Sequence, residues 1–219
     1  MLNKVKRFFN KNKHFYLFTY CFIYLIFFKL VEMRTVPYYH NMHHFLDDKI
    51  PFNEVFAIPY FLWFFYIGYV LLRLAFKSKY DFIKSFIYIF GGMTIGLVIF
   101  LIYPTAQNLR PDIIPGGNIL TLLVYFLHKL DTPTNVCPSL HVYDSIGCLI
   151  AVMLTKNCFN SLEKYAATIL TISISLSTLF LKQHSVIDVF WGLIMGVAMY
   201  FIVYVPDYNR FFNKTKQTE

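Results

Sequence analysis

The chain has 219 residues, of which 57% are hydrophobic and only 15% charged, with a mean hydropathy of +0.51 and a formal net charge of +8. So much apolar surface on so few charges excludes an ordinary soluble domain. The basic excess does not point to nucleic acid, because the lysines and arginines gather at the ends of apolar blocks rather than interleaving with aromatics in a polar domain.

In chain order, apolar blocks run near His14–Val31, Val55–Phe76, Phe82–Tyr103, Leu140–Thr155, Tyr165–Leu181 and Ile187–Val205. A hydrocarbon core of ~30 Å takes about 20 residues of helix, so these six blocks are read as transmembrane helices. A seventh stretch, Ile119–Leu130, follows a Pro-Gly-Gly break and is too short to span, which suggests an interfacial or re-entrant helix. The fold class expected is all-α: a polytopic membrane bundle of six transmembrane helices plus one short interfacial helix in the long outer loop. No internal repeat, low-complexity tract or linker divides the chain, so 1–219 is taken as a single membrane domain.

Charge sets the expected topology. Lys4, Lys6, Arg7, Lys11 and Lys13 precede the first block, and Lys77 and Lys79 follow the second. Lys156 and Lys164 flank the turn between the fourth and fifth, and Arg210, Lys214 and Lys216 follow the sixth. These all fall on one face, so the positive-inside rule places both termini in the cytoplasm. No small-x-small cleavage site follows the first apolar run, so an uncleaved first span is expected. Cys21, Cys148 and Cys158 fall in or beside spans and Cys137 alone lies outside, which implies no disulfide framework.

Polar groups are costly in a bilayer, so their positions carry information. Three polar segments sit at block ends on the extracytoplasmic side: Tyr103–Pro111, Cys137–His141 and Ser177–Asp188. His184 and Asp188 are spaced to share a helix face. A carboxylate there can accept the Nδ1 proton and leave Nε2 free to attack, although a purely structural His–Asp pair has the same spacing. Asp144, one turn into the fourth block, is read either as a functional intramembrane carboxylate beside His141 or as a capped, water-exposed residue near the interface. His40, His43 and His44 with Asp47 and Asp48 cluster in the first outer loop, but their spacing fits no closed metal site, and no metal or other cofactor is expected.

Taken together, these segments resemble the type-2 phosphatidic acid phosphatase superfamily of membrane lipid phosphatases and phosphotransferases, whose pattern is K-x6-R-P, P-S-G-H and S-R-x5-H-x3-D. This chain reads Tyr103-x6-Arg110-Pro111, Pro138-Ser139-Leu140-His141 and Ser177-Thr178-x5-His184-x3-Asp188. The flanking strings look like the branch that includes inositol phosphorylceramide synthase-like proteins. The resemblance implies a catalytic core at about 50–205, with His184 as nucleophile, Asp188 as its support and His141 as the acid on the leaving oxygen. It implies phosphoryl-oxygen contacts from Arg110, Ser139 and the backbone N–H near Leu140. Three family positions differ: Lys becomes Tyr103, Gly becomes Leu140 and Arg becomes Thr178. Lys182 is read either as a substitute cation or as a headgroup-facing anchor.

The function this implies is a lipid phosphate phosphatase working at the extracytoplasmic face through a phosphohistidine, in the plasma membrane. Two alternatives are a headgroup phosphotransferase with a phosphodiester donor and an alcohol acceptor, and an inactive lipid-binding member. The expected partners are a phosphorylated membrane lipid and the bilayer, with no nucleic acid. The sequence does not specify an oligomeric state.

Overall fold

The computed structural model describes residues 6–7, 10–112 and 117–206. Among the sequence features above, Lys4, Arg210, Lys214, Lys216 and most of the Pro-Gly-Gly break lie outside the described residues. A 3-10 turn, Lys13–Phe18, leads into α1 (Thr19–Glu32), and a second, Glu54–Phe56, leads into α2 (Ala57–Lys77). Then come α3 (Lys79–Ile102), α4 (Ile119–Leu130), α5 (Leu140–Leu154), α6 (Ser161–Phe180) and α7 (Val186–Val203).

The helix starts are written in short polar residues that accept backbone N–H bonds. Ser78 breaks α2 from α3 and accepts from Asp81, and Asn118 caps α4 through Thr121. Asn160 with Glu163 and Ser185 with Asp188 form reciprocal capping boxes on α6 and α7. The N-cap of α5, Ser139, makes no such side-chain bond.

The short helix α5 is the centre of the bundle, packed by α2, α3, α6 and α7. Its contact with α3 interlocks. Tyr88 of α3 and Tyr143 of α5 stack with ring centroids 5.1 Å apart and planes 2° from parallel. A side-chain carbon at Gly92 would overlap Tyr143, and one at Gly147 would overlap Tyr88, so each ring fits only over the other helix's glycine. Both hydroxyls are satisfied in the core: Tyr143 donates to the Tyr88 carbonyl, and Tyr88 donates to the Gly196 carbonyl at 2.8 Å.

Among the described residues, four helical stretches are long and apolar enough to cross a membrane: Lys13–Glu32, Glu54–Lys77, Lys79–Ile102 and Val186–Val203. The other two blocks read as spans also form helices, but α5 has only 15 residues and α6 carries Glu163, Lys164 and a run of serines and threonines. Large apolar side chains such as Phe22, Phe65, Ile102 and Phe201 stand exposed on the outer faces, as lipid-facing side chains do.

One correction to the all-α expectation is small but positions the site. His40–Asn41 pairs in parallel with Thr105–Ala106, and Ala106 bridges to Thr134. This clasp joins three polar loops at one end of the bundle.

Candidate active site

The second and third polar segments meet at that end. His184 Nε2 faces His141 Nδ1 at 3.4 Å, and His184 Nδ1 lies 3.4 Å from Asp188 Oδ2. His184 Nδ1 makes no hydrogen bond; the tautomer protonated there would present the Nε2 lone pair to His141 Nδ1–H. His141 is held against the rings of Tyr60 and Trp63 on α2, at 4.7 and 4.4 Å.

The turn carrying His184 is built by the end of α6. The Thr178 carbonyl accepts from Gln183 N at 2.9 Å and from His184 N at 3.1 Å, while Lys182 N bonds to Leu179 O. This is a Schellman-type ending with Lys182 at the left-handed position, φ 56°. Its amine turns away from the histidines and donates to the carbonyls of Asp47, at 2.6 Å, and Ile50. Beside it, Asp47 is buried and binds the start of α7, accepting from Ser185 Oγ at 2.6 Å and Val186 N at 2.9 Å. A carboxylate at a helix N-terminus is a favourable arrangement.

The other motif residues divide into two groups. Ser139 N donates to the Asp188 carbonyl at 3.0 Å, which ties the second segment to the third. Ser139 Oγ is buried without a protein partner, and Leu140 and His141 line the cleft from the uncapped start of α5. By contrast, Arg110 Nη1 donates to the carbonyls of Asp131, at 2.6 Å, and His128, and Nη2 donates to Gln183 Oε1 at 2.6 Å. The guanidinium makes no hydrogen bond to His141 or His184, and the residue it holds beside them is Gln183. Tyr103 stacks on His40 with centroids 3.8 Å apart, outside the cleft, and Thr178 is buried in the turn.

The cleft, about 50 Å³, is lined by His141, His184, Gln183, Glu32, Asp131 and Asn135, with Phe28 and Phe100 among its apolar walls. Sequence reasoning missed Gln183, Glu32, Asp131 and Asn135. Gln183 had a signal in its place before His184; Glu32 and Asn135 are far apart in the chain and had none. Glu32 Oε2 accepts from Thr132 Oγ1 at 2.6 Å, and Oε1 accepts from Asn135 Nδ2 at 3.2 Å. Around Arg110, burial pulls the guanidinium pKa down while the nearby Asp131 charge raises it. Burial pushes the Asp131 carboxyl up while Arg110 draws it back, and burial followed by the Arg110 charge holds His128 down at about 4.

Asp144 is fully buried with neither oxygen bonded, and it does not line the cleft. The reading of Asp144 as a water-exposed interface residue is therefore corrected: α5 is central, so its second turn faces neighbouring helices. His43 pairs with Asp48 at 2.9 Å. Among the described residues no three His, Cys, Asp or Glu side chains are grouped to hold a metal.

Long apolar helices around a part-buried histidine pair define a helical protein compatible with an integral membrane location. The PAP2 superfamily model matches residues 84–211, more than half of the chain and all three polar segments with both His141 and His184, and the chain belongs to that superfamily. Neither the curated proteins nor the solved structures contain a match. Members of the superfamily are phosphatases or phosphotransferases, and membership supports that general type of activity for this chain.

Proposed function

We propose that the protein transfers a phosphoryl group from a membrane lipid through a phosphohistidine on His184. The observation that carries this is the histidine pair, with His184 Nε2 set 3.4 Å from His141 Nδ1 while Asp188 faces the other nitrogen. In the first step Nε2 attacks phosphorus, the phosphorus–oxygen bond to the leaving alcohol breaks, and His141 gives that oxygen its proton. In the second step an acceptor hydroxyl loses its proton to His141 and attacks phosphorus, and the phosphorus–nitrogen bond breaks. Phosphoryl transfer asks for placement and stabilisation of the equatorial oxygens more than for other chemistry. Donors for those oxygens are Ser139 Oγ, the N–H groups around Leu140, and Gln183 Nε2, which Arg110 orients.

The cleft favours a phosphodiester donor and an alcohol acceptor over the monoester hydrolysis that the resemblance puts first. Tyr103 and Thr178 supply no cation, Arg110 is bonded to carbonyls, and Lys182 points to Asp47 and Ile50. Glu32 and Asp131 line the cleft instead, and their charges oppose a dianion more than a monoanion. Six membrane-crossing helices, cytoplasmic termini and an extracytoplasmic site in the plasma membrane complete the reading, on the charge asymmetry of the loops.

The test is turnover of lipid monoesters and diesters by the detergent-purified protein, with and without diacylglycerol or ceramide as acceptor. Acceptor-dependent conversion of a diester, lost by several orders of magnitude in His184→Ala, is the expected result. Inorganic phosphate released from phosphatidate regardless of acceptor would instead establish a phosphatase, and an active His184→Ala would overturn the phosphohistidine.

A further inference from the structure

Beside the histidine pair, the same cleft is lined by the carboxylates of Glu32 and Asp131 and by Asn135. Glu32 presents a carboxylate whose two oxygens are held by neutral donors, Thr132 and Asn135. Asn135 Nδ2 donates one hydrogen to Glu32, its Oδ1 has no partner, and the residue is only 8% exposed. Asp131 lies beside them, 3.7 Å from an Arg110 guanidinium that is already bonded to three carbonyls and Gln183. Phe28 and Phe100 form the apolar walls. A buried acceptor left unpaired costs free energy, so an orphaned Oδ1 beside a carboxylate calls for a ligand that brings donors or positive charge.

We infer that Glu32, Asp131 and Asn135, walled by Phe28 and Phe100, form a subsite for an ammonium-bearing headgroup on the lipid phosphodiester. An ammonium group has donors or positive charge and no acceptor, which suits a ring of acceptors between aromatic walls. A polyol headgroup needs donors from the protein as well as acceptors, and the hydroxyl of Thr132 is already given to Glu32. Gln183 Nε2, a buried donor without a protein partner, serves the phosphoryl oxygens in the proposed reaction. The inference rests on the proposed transfer reaction and adds the order of events. The headgroup would stay in this subsite, linked through phosphorus to His184, while one alcohol leaves and another arrives.

The experiment compares diester lipids with identical acyl chains and ethanolamine, choline, glycerol or inositol headgroups, each in nanodiscs of an otherwise neutral lipid. Turnover is measured for the unaltered protein, Glu32→Gln and Asp131→Asn, and lipid retention is measured by native mass spectrometry for His184→Ala. The expected result is a preference for the ammonium headgroups, with their advantage over glycerol falling roughly tenfold or more in Glu32→Gln, through KM rather than kcat. His184→Ala should still retain the ammonium lipids selectively. Turnover indifferent to headgroup charge, and unaltered in ranking by Glu32→Gln, would overturn the subsite while leaving the transfer reaction standing. Selective retention without turnover of any lipid phosphate would support the subsite and overturn the reaction. Neither retention nor turnover of the ammonium lipids would overturn both. Ethanolamine favoured over choline would assign recognition to the acceptors, and the reverse to the aromatic walls.

Discussion

Replacing Lys182 by methionine separates two roles that a lysine beside a nucleophile can have. The structure gives its amine two charge-assisted bonds, to the carbonyls of Asp47 and Ile50, and buries the side chain to 9% exposure. Methionine keeps the stem's packing and the left-handed backbone, so the change isolates the two bonds. Each bond to a charged group contributes about 1.5–3 kcal/mol, and part of that is returned because the amine no longer has to be desolvated. A net loss of about 2–4 kcal/mol follows, which for a chain of this size lowers the melting temperature by roughly 4–16 °C. Lys182→Gly should recover about 1 kcal/mol of it, since glycine occupies the left-handed region without the steric cost. Scanning fluorimetry of the detergent-purified variants measures the loss, with monoester and diester turnover followed in parallel. Turnover should fall by a similar factor for both substrates, because the loosened turn carries Gln183 and His184. An unchanged melting temperature with a selective loss of monoester turnover would refute this reasoning and make Lys182 a phosphate ligand.

Gly192→Ala should destabilise by about 1–3 kcal/mol and reduce turnover, because a Cβ there would lie 2.7 Å from the Ser139 carbonyl at the start of α5; a melting curve and a rate measurement check both. Asp47→Asn should cost about 1–3 kcal/mol, read as a lower melting temperature, by weakening the carboxylate that binds Ser185 and the first turn of α7. His128 titrates near 4 in the fold against an ordinary 6.5, so between those values the unfolded chain takes up a proton that the folded chain refuses. Stability is therefore full above about pH 6.5 and lost as pH falls through 4, on the order of 1–2 kcal/mol after discounting for the ring's partial exposure. His128→Gln should flatten that limb in melts run across the same pH range.

The helices were legible because their signal is local. Blocks of apolar residues bounded by Asn118, Asn160, Ser78 and Ser185 mark helices and their starts within a few residues of where they stand. His184 and Asp188 were legible for the same reason, since helical spacing alone brings them to one face. The Thr105–Ala106 pairing was not, because a two-residue strand has no periodicity and is created by its partner at His40–Asn41.

The sequence by itself determined the apolar helices, the charge asymmetry along the chain, the spacing that presents His184 with Asp188, and the helix that starts at Leu140. Each of these follows from residues a few positions apart. Only the tertiary structure decided what faces what: that His184 meets His141, that Arg110 bonds Gln183, that Lys182 turns to Asp47, and that Glu32 joins Asn135 in the cleft. Those outcomes depend on where α6 ends in its left-handed residue and on how closely α3, α5 and α7 approach through Gly92, Gly147 and Gly192. Long, flexible cationic side chains have many rotamers and bond to whichever acceptors the packed fold brings within reach, so their roles are set by packing and not by their place in a motif.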